Sequence, residues 1–282
     1  MHKIKLITDS TCDLSPELIK AHDIEVVPLY VNLDGTYYKD GVELTAPKMY
    51  EMVEASGALP KTAAASSEDF KAVFEKSLRE GYDILDTGIG SKFSSTLQSA
   101  NIARMELETG RIHLVDSQNL SSGSGLLLLK AASMREKGRD IVYIMHTLER
   151  LVPNVRSQFV IDTLDYLQKG GRLRAISAFV GTMLKIKPII RVVEGEMAVG
   201  KKARGSIKNG IKIQLKEVLK HLTDIDPEFI MITHTEAFEA AEHTRHALED
   251  TKYFENILTT EAGCVISSHC GPGTIGLLYI MK

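Results

Sequence analysis

Short apolar segments alternate with longer helical patterns through the first half of the chain, and no other feature constrains the fold as much. The apolar segments have the length and β-branched composition of strands, and they cover residues 4–8, 25–33, 82–87 and 111–116. Helix-starting residues lie between them, such as Ser66 with Asp69 three residues later, which form the pattern of a capping box. Strands and helices that alternate at this spacing predict βαβ units and a parallel sheet.

The second half is patterned differently. Residues 187–193 and 197–199 flank the turn at Glu194-Gly195-Glu196 and predict a β-hairpin, which a purely parallel fold does not need. Residues 207–222 have the apolar periodicity of an amphipathic helix. A chain of 282 residues is long enough for about two domains. We therefore predict an N-terminal α/β domain over residues 1–160, followed by an α+β domain over residues 161–282.

The composition is that of a globular protein. Hydrophobic residues make up 44% of the chain and charged residues 25%, which provides ample apolar material for a core. No apolar run reaches the roughly 18 residues of a membrane span, and the first residues do not have the pattern of a secretory signal. The three cysteines lack the spacing of a disulfide framework or a zinc site. We expect a cytoplasmic protein without stable membrane insertion, metal or cofactor.

Positive charge is concentrated in one stretch of the sequence. Residues 169–220 contain 13 Lys and Arg against three Glu, although the whole chain has a net charge of −3. The stretch contains a single aromatic residue, Phe179, so it lacks the stacking residues of single-strand nucleic-acid binders. Two interpretations remain open, a solvated basic surface and a docking surface for an acidic partner.

Polar clusters follow three of the predicted strands, at residues 9–13, 88–100 and 117–125. The carboxyl ends of parallel strands meet at one edge of a sheet, which is where such folds bind ligands. The hydroxyl groups of Ser94 and Ser95 precede a predicted helix, so they are candidates either for anion binding or for simple capping. Neither a phosphate-binding glycine loop nor a nucleophile elbow occurs in the sequence.

A histidine next to a turn sequence is the most distinctive local feature near the C-terminus. His269 is followed by Cys270 and then by Gly271-Pro272-Gly273, which predicts a tight turn that allows close approach of a ligand or of another backbone segment. His269 is therefore a candidate for binding a carboxylate or a phosphate.

Taken in order, seven segments resemble motifs of the DegV family of bacterial fatty-acid-binding proteins. The motifs are the opening I-T-D-S, P-x-T, a serine-rich S-x-x-L-S-G-T-Y-Q-S-A, V-D-S, T-L-x-Y-L-x-x-G-G-R, L-x-I-K-P-I-I and H-x-G-P-G. The corresponding segments span residues 7–10, 59–62, 91–100, 115–117, 163–172, 184–190 and 269–273.

The resemblance implies a two-domain fold with a fatty acid buried between the domains. The carboxylate would contact Thr62, Ser94 and His269, with Ser95 nearby. We expect the tunnel wall to come from apolar residues around the matched motifs, namely Ile161, Leu164, Leu167, Phe179, Met183, Leu184 and Ile186. The chain departs from the family pattern at Ala63-Ala64-Ala65, where Ser-Gln-Pro is usual, and at Ser95, where glycine is usual.

The family likeness also implies a role and a partner. The protein would be a carrier rather than an enzyme, and it would present the fatty-acid carboxylate to a separate kinase subunit that forms acyl phosphate for phospholipid metabolism. We expect Arg172, Lys202 and Arg204, in the basic stretch, to contribute to the docking surface for that kinase. The alternative from the residues alone is a lipid-directed hydrolase or phosphotransferase that uses Asp9 or Asp116.

Overall fold

The computed structural model describes residues 3–172 and 186–282. Its strands are β1 (Lys3–Asp9), β2 (Ile24–Val27), β3 (Tyr30–Leu33), β4 (Thr36–Lys39), β5 (Lys61–Ala63), β6 (Tyr82–Asp86), β7 (Ile112–Leu114), β8 (Val155–Val160), β9 (Ile186–Val193), β10 (Glu196–Arg204), β11 (Ile225–His234), β12 (Asn256–Glu261) and β13 (Ile275–Met281). Its helices are α1 (Pro16–Ala21), α2 (Ala46–Ser56), α3 (Ser67–Arg79), α4 (Thr96–Glu106), α5 (Ser122–Glu136), α6 (Ile141–Leu151), α7 (Asp165–Lys169), α8 (Ile207–Lys220), α9 (Phe238–Glu249) and α10 (Cys264–Cys270).

The N-terminal half is built on a parallel sheet of order β2-β1-β6-β7, as the alternating pattern predicts. Local sequence fixes the start of α3, because Ser66 and Asp69 form the expected capping box there. The buried strands present apolar side chains on both faces, as parallel sheets covered by helices require. The three polar loops that follow β1, β6 and β7 therefore meet at one edge of this sheet.

Residues 25–33 do not form the single strand expected from their apolar composition. The chain forms β2 up to Val27 and then β3 from Tyr30, with Pro28 between them. β2 pairs with β1, whereas β3 pairs with β4 and β5 in a separate antiparallel sheet. Proline has no N–H for a sheet ladder, so Pro28 marks the point where the chain leaves one sheet for the other.

The C-terminal half is built on a mixed six-stranded sheet of order β10-β9-β8-β13-β11-β12. Only the pair of β11 and β12 is parallel, which agrees with the expected α+β class. The predicted hairpin is present, but its second strand extends to Arg204 instead of ending near residue 199. β8 (Val155–Val160) pairs with β13 and β9 in this sheet, although the predicted boundary assigns it to the N-terminal domain. The boundary after residue 160 stays a prediction.

Helix α5 lies between the two large sheets. Its residues from Ser122 to Ala132 are all buried. One apolar core around α5 combines Leu6 and Leu85 from the parallel sheet with Met231 and Leu278 from the six-stranded sheet. A helix that is apolar on every side needs neighbours on every side, so α5 joins the two halves into one packed body. In the part of the chain that is described, no helix is long and apolar enough to cross a bilayer.

Candidate functional site

An apolar cavity with about 630 Å³ of space, part of which is open to solvent, lies between the two halves of the molecule. Both halves contribute to it, since the strand β5 and the loop after β6 face the six-stranded sheet and α10. The described lining residues are Leu29, Thr62, Ala63, Ala64, Ile89, Phe93, Ser94, Leu120, Phe159, Leu167, Arg172, Met197, Val265, Ile266, His269 and Cys270. A mostly apolar cavity with a few converging polar groups has the composition of a small-molecule site.

Thr62 and His269 meet at this cavity although 207 residues separate them in the sequence. Thr62 Oγ1 lies 2.9 Å from His269 Nε2. Thr62 is the central residue of β5, and His269 belongs to the last turn of α10, not to the turn that follows the helix. Burial, with a smaller contribution from the positive charge of Arg172, lowers the pKa of His269 to about 4. The imidazole is therefore neutral at pH 7.

The second ring nitrogen of His269 has a different environment. His269 Nδ1 is buried and has no hydrogen-bond partner among the residues that the structure describes. A Cβ atom on Gly170 would lie only 2.3 Å from His269 Nδ1, so a larger residue at position 170 would clash with the imidazole ring. A buried N–H without an acceptor is costly, and we therefore assign the proton to Nε2, which donates it to Thr62 Oγ1. The Thr62 hydroxyl keeps its own proton for another acceptor.

Ser94 and Ser95 have separate environments although they are adjacent. Ser94 lines the cavity, and its hydroxyl lies 2.8 Å from Thr96 Oγ1. Ser95 is exposed at the N-cap of α4, makes no side-chain capping bond and is not among the lining residues. The helix begins at Thr96, which leaves Ser94 in the loop before it. The structure thus brings Thr62, Ser94 and His269 to one cavity and places Ser95 outside it.

Arg172 carries a positive charge and is one of the described residues that line the cavity. Its guanidinium Nη1 donates to the carbonyl of Gly170 at 3.0 Å, and its positive charge contributes to the lowered pKa of His269. Lys202 and Arg204 lie instead on the exposed second strand of the hairpin, away from the lining residues. The three residues expected to form one docking surface therefore have different relations to the cavity.

A second apolar cavity lies beside the first. Its space is about 340 Å³, and four residues line both cavities, namely Leu120, Phe159, Ile266 and Cys270. Beyond them the second cavity extends along β11 and β13 as far as Thr233 and Leu278. The two cavities are thus separated by a shared wall of four side chains, and together they extend from Thr62 and His269 to the sheet of the C-terminal half.

The residues expected to form the tunnel wall occupy several positions. Leu167 lines the first cavity, and Ile161 and Leu164 belong to the same buried apolar cluster as Phe159 and Ile266. Ile186 is half-buried at the start of β9. Phe179, Met183 and Leu184 lie outside the described residues. Sequence reasoning missed the contributions of Phe93, Leu120, Phe159 and Met197, because nothing local in the sequence marks them as neighbours.

Four buried aspartates lie near the strand ends of the N-terminal half: Asp9, Asp13, Asp40 and Asp86. Burial raises the pKa of each of these carboxyl groups above its ordinary value. Asp13 accepts a hydrogen bond from the N–H of Gly263 at 2.8 Å, and Asp40 accepts one from the N–H of Cys264 at 2.7 Å. Side chains from the N-terminal half thereby fix the start of α10, the helix that carries His269.

Asp9 and Asp116, the candidates for an enzymatic role, both accept hydrogen bonds from loop N–H groups. Asp9 accepts from the backbone of Thr11 and Ile89, at 2.9 and 2.7 Å. Asp116 accepts from the backbone of Ser91 and Gln118, at 3.1 and 3.0 Å. These contacts are those of carboxylates that hold loops in place. No group of three or more potential metal ligands occurs in residues 3–172 and 186–282.

Comparison with known proteins gives a consistent result. A family model described as "Uncharacterised protein, DegV family" matches residues 3–282. A DegV domain-containing protein of Caldanaerobacter subterraneus subsp. tengcongensis is 36% identical over 282 residues, which cover all of both chains. A DegV family protein from Thermus thermophilus, described as fatty-acid binding, superposes with a TM-score of 0.89 at 35% identity over all of both chains.

A stearic acid-binding protein from Eubacterium ventriosum superposes with a TM-score of 0.86 at 28% identity, over 100% of this chain and 99% of its own. The similarity thus extends over both halves of the fold and over every element that lines the cavity. The chain belongs to the DegV family.

Proposed function

We propose that this protein binds a long-chain fatty acid in the cavity between its two halves. The observation that carries the proposal is the pairing of Thr62 with a neutral His269 in a mostly apolar cavity, next to a second apolar cavity. Two structures that are similar over the whole length of this chain are described as fatty-acid-binding proteins, which supports a fatty acid as the ligand here. The carboxylate lies at Thr62, Ser94 and His269, and the acyl chain extends past Phe159 toward β11 and β13.

The polar end of the cavity suits a carboxylate. The Thr62 hydroxyl, oriented by the N–H of His269 Nε2, donates to one carboxylate oxygen, and the Ser94 hydroxyl donates to the other. A buried carboxylate without such donors is strongly destabilised, and hydrogen bonds to a charged acceptor contribute about 1.5–3 kcal/mol each. Arg172 at the same cavity adds an attractive positive charge.

The apolar part of the site accounts for affinity. Each buried methylene contributes about 0.8 kcal/mol, so a 16-carbon chain gains on the order of 10 kcal/mol before the entropy costs of binding. Ala63 and Ala64 line the cavity with methyl groups where the family pattern has Ser and Gln. Selectivity at the head group therefore rests on Thr62, Ser94, His269 and Arg172.

Native mass spectrometry of the protein purified from a bacterial host, followed by denaturing extraction, tests the binding proposal. We expect an added mass that matches a fatty acid in the wild-type protein. The double variant Ser94→Ala/His269→Ala loses two of the carboxylate contacts, and we expect its occupancy to fall at least tenfold, which corresponds to about 1.4 kcal/mol. The matched control is Ser95→Ala, because Ser95 is adjacent in sequence but exposed outside the cavity.

Two results would contradict the proposal. The first is a wild-type protein that stays unliganded after incubation with fatty acids. The second is an equal loss of occupancy in the Ser95→Ala control.

The carrier role is the second part of the proposal. The protein presents the bound carboxylate to a separate kinase subunit, which forms the acyl phosphate, and the docking surface includes Arg172, Lys202 and Arg204. The excess of positive charge over residues 169–220 supports a basic docking face. Because Arg172 also lines the cavity, its charge contributes to both lipid binding and docking.

Charge reversal separates these two effects. We expect Lys202→Glu/Arg204→Glu to lower acyl phosphate formation by the partner kinase at least tenfold and to leave fatty-acid occupancy unchanged, because both residues lie away from the cavity. We expect Arg172→Glu to lower both quantities. Loss of fatty-acid occupancy in the Lys202/Arg204 variant would contradict this assignment.

A further inference from the structure

A polar cleft lies beside the end of α8, where the loop after β7 meets β8 and β9 of the six-stranded sheet. Phe159 lines the fatty-acid cavity, whereas its neighbour Gln158 lines the cleft. The cleft has about 1360 Å³ of space, part of which is open to solvent, and among the described residues none lines both spaces. The proposed carrier function does not use it.

The strand register brings several hydrogen-bond donors together in this cleft. Gln158 on β8 pairs with Arg191 on β9, and Arg156 on β8 pairs with Tyr279 on β13. All four side chains line the cleft, together with His221 at the end of α8. The donors thus come from three neighbouring strands and one helix end, which are rigid parts of the fold.

The amide of Gln158 is the most informative of these groups. Gln158 is 3% exposed, and its Nε2 has no hydrogen-bond partner within the described part of the chain. Leaving a buried donor unpaired costs about 1–3 kcal/mol, so such a group indicates a place where an acceptor binds. The backbone carbonyl of Gln158 accepts a hydrogen bond from Gln214 Nε2 at 3.1 Å. This contact holds the part of β8 that carries the Gln158 side chain.

The two arginines are held by different contacts. Arg191 lies against Gly200 at the bulge of the hairpin, where a Cβ atom would lie 2.8 Å from its Nε, and it forms an ion pair with Glu217. Glu217 also contacts Lys201 Nζ at 2.9 Å, so two cations share its charge. Burial raises the pKa of Glu217, but the contacts with Lys201 and Arg191 lower it more, so the pKa lies below its ordinary value.

Arg156 has no comparable carboxylate contact among the described residues. Its Nη1 donates to the carbonyls of Pro153 and Val155, at 2.8 and 3.2 Å. Backbone contacts thus orient the guanidinium without neutralising it. The other acidic residue that lines the cleft, Glu194, is exposed in the hairpin turn. Two arginines and two glutamates line the described part of the cleft, and Glu217 is already paired with Arg191 and Lys201, which leaves the Arg156 guanidinium without a carboxylate partner among the described residues.

We propose that this cleft binds an oxyanion, the phosphate or carboxylate group of a small molecule, between the Arg156 guanidinium, the Gln158 amide and the Tyr279 hydroxyl. A guanidinium group binds both kinds of oxyanion through two parallel hydrogen bonds. The amide and phenol donors complete the contacts to the remaining oxygens, and the bound group supplies the acceptor that Gln158 lacks. This site is independent of fatty-acid binding.

Isothermal titration calorimetry on the full chain at constant ionic strength tests this site, with inorganic phosphate in one arm and acetate in the other. We expect saturable binding of at least one anion, and the comparison of the arms identifies which class the cleft prefers. Arg156→Gln removes the charge and should weaken binding at least tenfold, since charge-assisted bonds exceed about 1.4 kcal/mol. Tyr279→Phe removes one donor and should weaken binding several-fold.

Arg150→Gln is the matched control, because Arg150 is an exposed arginine on α6 whose guanidinium contacts only Thr147 among the described residues. Gln158→Leu removes the unpaired amide, and we expect it to fold and to lose affinity for the anion. Absence of saturable binding in both arms overturns the proposal. Equal weakening by Arg150→Gln, or unchanged binding in both Arg156→Gln and Gln158→Leu, overturns it as well.

Discussion

The two ends of α10 differ in how their polar groups are satisfied. At the first turn, Asp13 and Asp40 accept hydrogen bonds from the N–H groups of Gly263 and Cys264. At the last turn, His269 contacts Thr62 through one ring nitrogen and has no partner on the other within the described residues. A fully paired end holds the helix in place, whereas an incompletely paired end inside a cavity is available to a ligand.

Burial acts on both ends but moves the titrations in opposite directions. Burial raises the pKa of Asp40 and lowers the pKa of His269 to about 4, because it disfavours the charged form of either group. Asp40, at the start of the helix, thus binds a proton more readily in the folded chain than in the unfolded chain. His269, at the end of the helix, binds a proton less readily in the folded chain. Stability therefore depends on pH with opposite signs at the two ends.

The largest expected effect comes from breaking the paired end. Asp40→Ala leaves the N–H of Cys264 without its acceptor and weakens the start of α10. Loss of a buried acceptor that caps a helix should lower the free energy of unfolding by about 3 kcal/mol, as measured by urea denaturation. Asp250→Ala is the control, since Asp250 is exposed after α9. A change below about 0.5 kcal/mol, typical of a surface site, would contradict the capping role of Asp40.

A smaller effect, on the dependence of stability on pH, separates the two ends by sign. Because the pKa of His269 falls from 6.5 to about 4 on folding, the unfolded chain binds more protons between these values and stability rises with pH. We expect the free energy of unfolding of the wild type, relative to His269→Gln, to increase by about 2 kcal/mol from pH 4 to pH 6.5.

Asp40→Asn gives the opposite sign in the same measurement. The raised pKa of Asp40 contributes stability that is present below pH 3.8 and is lost as the pH rises through the folded value. The stability of the wild type relative to Asp40→Asn should therefore fall with increasing pH. Urea denaturation from pH 4 to pH 6.5, in steps of about half a unit, measures both differences. Equal signs for the two variants would contradict the pKa directions.

The smallest effect concerns the space beside the unpaired nitrogen. Gly170→Ala places a methyl group 2.3 Å from the ring position of His269 Nδ1, so the imidazole must shift away from Thr62. We expect a loss of about 1 kcal/mol in unfolding free energy and several-fold lower fatty-acid occupancy. Gly110→Ala is the control, because no atom lies within 4 Å of the added methyl group. Equal fatty-acid occupancy in the two variants would show that Gly170 does not position His269.

Local patterns were sufficient to predict several elements of the fold. The parallel sheet, the capping box at Ser66 and the hairpin around Gly195 all follow from residues close together in the sequence. The sequence reasoning was wrong where an element depends on distant partners. Residues 25–33, predicted as one strand, contribute to two sheets, because β2 pairs with β1 whereas β3 pairs with β4 and β5.

The sequence by itself determined the fold class, through hydrophobic periodicity and capping, and the family, through motifs that pick out Thr62, Ser94 and His269. Only the tertiary structure decided that Thr62 contacts His269, that Ser95 lies outside the cavity and that Gly170 borders the imidazole. The physical reason is distance along the chain. Periodicity and caps act over a few residues, whereas the cavity and the buried charges arise from packing between segments as much as 250 residues apart.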